Sequence, residues 1–308
     1  TVGVAMSLVL AGFVRISFGP SQPPFTWGAQ VPVSFVVQAG GSADVFDASD
    51  ATAVRMSFQT WQALPSSSIA FAEDTAADAT RRDFDATDVH LVMWDEDGSS
   101  GLFPSGSSIV ALTPLLASTT TAQILDADIV FNGAHPFSTN LQGGTFDVQS
   151  VATHEIGHLI GFDHSGGPLT TMNSTVVAGS STARSLSRDE DCAAAHVYPQ
   201  AGVLRGRIAG TVIAQGGGGL RHAHVVAIDQ ATGEVACGAV TDTAGNYALE
   251  ALPAGSYDLY VEPLDGPFRA DQTIALRNQT TDAFATTWYP SNPVTIGAGG
   301  FGGATWSV

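Results

Sequence analysis

The stretch Val151 to Ser165, V-A-T-H-E-I-G-H-L-I-G-F-D-H-S, constrains this chain more than any other. It carries H-E-x-x-H-x-x-G-x-x-H, with His154, Glu155, His158, Gly161 and His164 in the specified places. Residues four apart leave one face of a helix, so His154 and His158 present two imidazoles together. A catalytic zinc usually takes three protein ligands and a water, so the third must come from chain that has turned back. Gly161 is the place to turn, because glycine accepts a positive φ without a Cβ clash. His164 then faces the same ion, and Glu155, beside the first ligand, is placed to take a proton from water. The rival reading is coincidence. Histidine occurs only 8 times in 308 residues, and composition alone would produce the pattern on the order of once in tens of thousands of such chains. One zinc per chain is the expectation.

At these residues the chain resembles the metzincin metallopeptidases and, within them, the matrixins. Ser165, directly after the third histidine, is similar to the matrixin pattern. Met172, in L-T-T-M-N-S, resembles the methionine of the metzincin Met-turn, an apolar floor beneath the metal in that family; where astacins carry a tyrosine two residues on, this chain has Ser174. L-S-R-D-E-D-C-A-A-A-H-V-Y-P (Leu186 to Pro199) is similar to the closing helix of matrixin catalytic domains, and I-L-D-A-D-I-V-F-N (Ile124 to Asn132) to their last strand. The resemblance implies an α+β domain over residues 13–200, with a twisted, mostly parallel sheet, an antiparallel edge strand and three main helices. It implies one catalytic Zn2+, a protein or peptide substrate, and export from the cell. Animal matrixins hold a second zinc with a histidine cluster and an H-G-D segment; no H-G-D occurs here, and Ile129 stands where their strand histidine would be.

The 11 basic residues, every one arginine, face 29 acidic ones, a net charge of −18. Such a field disfavours nucleic acid and anionic membranes as partners. No run reaches the ~18 apolar residues of a membrane helix. The opening T-V-G-V-A-M-S-L-V-L-A-G-F-V reads as a signal-peptide remnant over residues 1–12 or as a first strand. Cys192 and Cys237 fit no zinc spacing; a single bridge and two buried thiols stay equally open.

In chain order, V-R-I-S-F and V-P-V-S-F-V-V read as strands between Phe13 and Val37. Val54, Phe58 and Trp61 fall at helical spacing behind a Ser49 or Asp50 cap, and Pro65 closes that helix. Val89 to Trp94 is a strand; His90 on it is a candidate ligand, though a strand histidine is more often structural. The acidic turn Asp95 to Gly98 is either part of a Ca2+ site or simply solvated. Ser107 to Thr113 is a short strand, by resemblance the sheet edge that borders the cleft, where an extended peptide can pair its backbone. Thr145 to Ile160 is the active-site helix. By resemblance, Asn173 to Ser187 is the loop under the specificity pocket.

After Pro199, short strands alternate with the turns D-Q-A-T-G, D-T-A-G-N and P-A-G-S, the pattern of a small antiparallel sandwich. T-D-T-A-G-N-Y-A-L-E-A-L-P-A-G-S-Y-D-L-Y-V resembles the carboxypeptidase regulatory-like, transthyretin-like β-sandwich, assigned to residues 202–308. His222 and His224 share a side at strand spacing, and an exposed polar face is preferred there over a metal site. The leading reading is a secreted zinc endopeptidase with Glu155 as general base, Gly161 and Met172 as structural neighbours of the site, and an all-β module dispensable for chemistry. A surface adhesion protein with a peptidase-like domain and a zinc hydrolase of a non-peptide amide are the rivals. A casein digestion with and without chelator separates the three.

Overall fold

A computed structural model describes residues 13–17, 23–87, 89–167, 170–266, 268–273 and 276–308; the leader-like residues 1–12 lie outside it. The chain forms two compact units, one of residues 25–161 and 175–186, the other of residues 1–24, 162–174 and 187–308.

The first unit runs β1 (Val33–Val37), α1 (Ser49–Gln62), β2 (Phe71–Glu73), β3 (Leu91–Asp95), β4 (Ala111–Leu112), β5 (Leu115–Ala117), β6 (Ile124–Ala127), β7 (Ile129–Asn132), β8 (Phe137–Ser138), β9 (Phe146–Asp147) and α2 (Val148–Leu159). Its main sheet has the order β2-β1-β3-β7-β4. Strands β1, β2, β3 and β7 pair in parallel, and β4 runs antiparallel to β7 at the edge. Every residue of β3 and β7 is buried, as parallel strands require. The segment Ile124 to Asn132, expected as one strand, breaks at Asp128. That carboxylate accepts the Leu91 N–H at 2.6 Å, and β6 pairs with β5 instead.

Helix α1 follows its apolar spacing: Val54, Phe58 and Trp61 are all buried. Phe58 stacks on Phe35 of β1 with ring centroids 3.8 Å apart. The Trp61 indole N–H donates to the Thr153 carbonyl at 2.8 Å, and the Ser57 hydroxyl to that of Gln149 at 3.0 Å, which fastens α1 to α2. The expected cap is wrong. Ala48 occupies the N-cap with φ 57°, because the buried Asp50 carboxylate is taken by the Ser42 N–H at 2.6 Å.

Among its described residues the second unit holds α3 (Arg188–Val197) and nine strands: β10 (Gly206–Ile213), β11 (His224–Asp229), β12 (Val235–Val240), β13 (Asn246–Leu252), β14 (Gly255–Glu262), β15 (Thr287–Trp288), β16 (Val294–Ile296), β17 (Phe301–Gly303) and β18 (Trp306–Ser307). One sheet has the order β13-β10-β17 with β18 also on β10; the other is β12-β11-β14-β15 with β16 also on β14. Ile208, Val225, Leu249 and Leu259 belong to one buried core, and Cys192 of α3 belongs to it too. Helix α3 therefore packs with the sandwich, although the sequence places it in the preceding module. Cys192 and Cys237 are both buried thiols with no disulfide between them. The Cys192 thiol donates to the Ala236 carbonyl at 3.3 Å, and hydrogen bonding to Cys192 together with burial pushes the Cys237 thiol up. His222 and His224 are 3% and 5% exposed, not on a polar face. Each has its own partner: the Thr280 carbonyl for His222 and Glu262 for His224.

Helix α2 starts from a fully buried Asp147, whose carboxylate accepts the Ser150 N–H at 2.9 Å. The same carboxylate takes the Arg184 guanidinium in a fork at 2.6 and 2.8 Å, tying the loop of residues 175–186 to the start of α2. Asp147→Ala removes cap and ion pair together and should destabilise the chain by about 2 kcal/mol in urea denaturation. Asp147→Asn keeps a cap acceptor and should cost clearly less; equal losses would show that the cap contributes nothing.

Candidate metal centre

On α2 the residues His154 and His158 sit one turn apart, as the motif demands, with ring centroids 4.7 Å apart and planes at 86°. The helix stops where the sequence says it should. The Gly161 N–H donates to the His158 carbonyl at 2.8 Å, and Gly161 takes φ 96°. A Cβ there would lie 2.5 Å from the Phe25 carbonyl oxygen, so no other residue fits. Past the turn, His164 N–H donates to its neighbour Asp163 at 2.8 Å. The metal-capable nitrogens of His154, His158 and His164 all lie within 4.8 Å of one another. Zinc–imidazole bonds are about 2.0–2.1 Å, so three neutral nitrogens this close fit one ion.

Glu155 is 5% exposed and leans toward the sheet edge. Its Oε2 accepts the Thr113 hydroxyl at 2.6 Å, from the residue that directly follows β4. Burial pushes the Glu155 carboxyl up to about 7, against the pull of that hydrogen bond. Thr113 escaped the sequence reading as a partner, because nothing local ties it to a glutamate 42 residues away. Its only visible signal is its place at the end of the expected edge strand.

Met172 is 2% exposed. Its carbonyl accepts the Ser165 N–H at 2.9 Å, and its own N–H donates to Glu190 at 3.0 Å. Glu190 also closes the capping box of α3 by accepting the Ser187 N–H at 2.8 Å. The next carboxylate does similar work. Asp189 accepts the Ser165 hydroxyl at 2.6 Å and the Gly238 N–H at 2.8 Å. Burial raises both carboxyls. The sequence reading named neither; the S-x-x-E spacing of Ser187 and Glu190 was the available signal for one.

Other candidates fall away. The His90 Nδ1 is 2.8 Å from Asp126 and its ring packs on Trp27. In the acidic turn, Asp97 pairs with Arg82 at 2.7 Å, Glu96 accepts the Ala43 N–H at 2.8 Å, and Asp95 holds the Ser100 hydroxyl. Among the described residues the three histidines are the one metal-capable group, so calcium finds no support.

Comparison with known proteins agrees with this geometry. Residues 26–199 match the family model described as Matrixin, and residues 207–287 the carboxypeptidase regulatory-like domain. No curated protein matches the chain. No helix among the described residues is long and apolar enough to cross a membrane. The Matrixin match spans more than half of the sequence and contains the whole histidine motif, and the chain belongs to the matrixin family of zinc metallopeptidases.

Proposed function

We propose that this chain is a secreted zinc endopeptidase in which His154, His158 and His164 hold one catalytic ion and Glu155 is the general base. One observation carries the reading: three imidazole nitrogens gathered within 4.8 Å, with a buried carboxylate next to the first of them in sequence. A zinc ion bound there would supply a water of lowered pKa and polarise a carbonyl. Glu155 takes the proton from the attacking water and returns it to the leaving amine. Thr113 fixes the rotamer from which that carboxylate works. Strand β4 stands at the end of the sheet order, and its free edge suits an extended peptide pairing backbone to backbone. Gly161 provides the turn and Met172 an apolar floor. Residues 13–200 and 202–308 are the two sequence modules, in keeping with the family matches. Export is supported by the habit of metzincins, which are nearly always secreted.

Glu155→Gln separates chemistry from binding at nearly constant shape. Zinc content should stay at one ion per chain while casein or peptide hydrolysis falls by at least roughly a thousandfold. Retention of more than about a tenth of parental turnover would mean that another group is the base. In the parent, a chelator should abolish hydrolysis, and one equivalent of zinc should restore it. Metal analysis that finds two zincs per chain would reveal a second centre, and persistent activity in the metal-free protein would remove the metallopeptidase reading.

A further inference from the structure

The segment that carries His164 is held by residues of the C-terminal module at three successive positions. His164 Nδ1 lies 2.5 Å from the backbone carbonyl oxygen of Gln272. The Ser165 hydroxyl reaches the N–H of Gly238 in β12 through the Asp189 carboxylate. Gly166 packs so close to the rings of Phe268 and His224 that a Cβ would come within 2.6 and 2.9 Å of them. All of these residues belong to one compact unit.

The first contact has a chemical consequence. A carbonyl oxygen can only accept, so the Nδ1 that meets it must carry the hydrogen. The neutral ring is then fixed as the Nδ1–H tautomer, with the Nε2 lone pair left for a metal. The carbonyl is itself well placed. Gln272 ends a short 3-10 turn, Ala270–Gln272, and its side chain accepts the Arg269 N–H and donates to the Ser174 hydroxyl, both at 2.7 Å. Val14 and Val240 pack in one buried cluster with Leu264, Phe268 and Leu276, which anchors this segment to the module.

From this we infer that the β-sandwich module is a working part of the metal centre: Gln272, as a positioning residue, orients His164 through its backbone carbonyl and thereby sets zinc affinity. The inference rests on the zinc reading above and replaces the expectation that the sandwich is dispensable for the chemistry.

The test uses the full chain. Gln272→Ala keeps the carbonyl but removes both side-chain anchors that place it. Outer partners of metal-bound histidines typically contribute 10–100-fold to affinity, so the zinc Kd, measured by chelator competition, should rise about tenfold or more. Gln272→Glu can still accept from Arg269 and from the Ser174 hydroxyl, and should return to within about threefold of the parent. Nitrogen-15 NMR of the parent's imidazoles provides a readout that packing alone would not move: His164 should be protonated at Nδ1, both with zinc and without it. A parent that binds zinc together with a Gln272→Ala Kd within twofold of it overturns the inference and leaves the zinc reading standing. A hydrogen on Nε2 of His164 also overturns it. A parent that binds no zinc overturns the zinc reading, and the inference with it.

Discussion

The whole histidine cluster depends on the backbone reversal at Gly161. A helix can present two imidazoles on one face, but its own geometry carries the next residues away from them. The reversal needs a left-handed φ, and the Phe25 carbonyl occupies the space where a side chain would go. Two independent constraints, one conformational and one steric, thus fall on the same residue. The place of the third imidazole follows from that turn and not from any preference of its own.

Buried carboxylates do much of the remaining positioning. Asp147, Glu155, Asp189 and Glu190 are each 5% exposed or less, and each is met by amide, hydroxyl or guanidinium donors. Burial of an acidic group is costly unless such donors replace water. Each of these groups is therefore over-determined: it can be satisfied only where its donors converge. That is a means of specifying loop geometry, because the Met172 turn and the start of α3 must meet on one Glu190 carboxylate. In a chain with 29 acidic residues these four act as struts.

The elements with strong local signals were legible in the sequence. Helix α1 followed its Val54, Phe58 and Trp61 spacing and α2 its motif, while α3 lies in the stretch that resembles the closing helix of matrixins. The antiparallel edge strand came out shorter than expected but in place. What failed was decided by distant partners. Asp50 was drawn from the helix cap by the Ser42 amide, and Asp128 interrupted what read as one strand. The two sandwich histidines are hydrogen-bonded to Thr280 and Glu262, residues no local pattern connects to them. Thr113 and Gln272 were invisible for the same reason: one acts through a hydroxyl 42 residues from its glutamate, the other through a backbone carbonyl that any residue type could supply.

The placing of Cys192 and α3 in the sandwich core bears on how such a chain is made and where it can be cut. Synthesis runs from the N-terminus at about 5–20 residues per second, so the third imidazole leaves the ribosome seconds before the Gln272 carbonyl that meets it. The same placement limits where the chain can be divided. A break near residue 200 would separate Cys192 from the hydrophobic core that it shares with the sandwich.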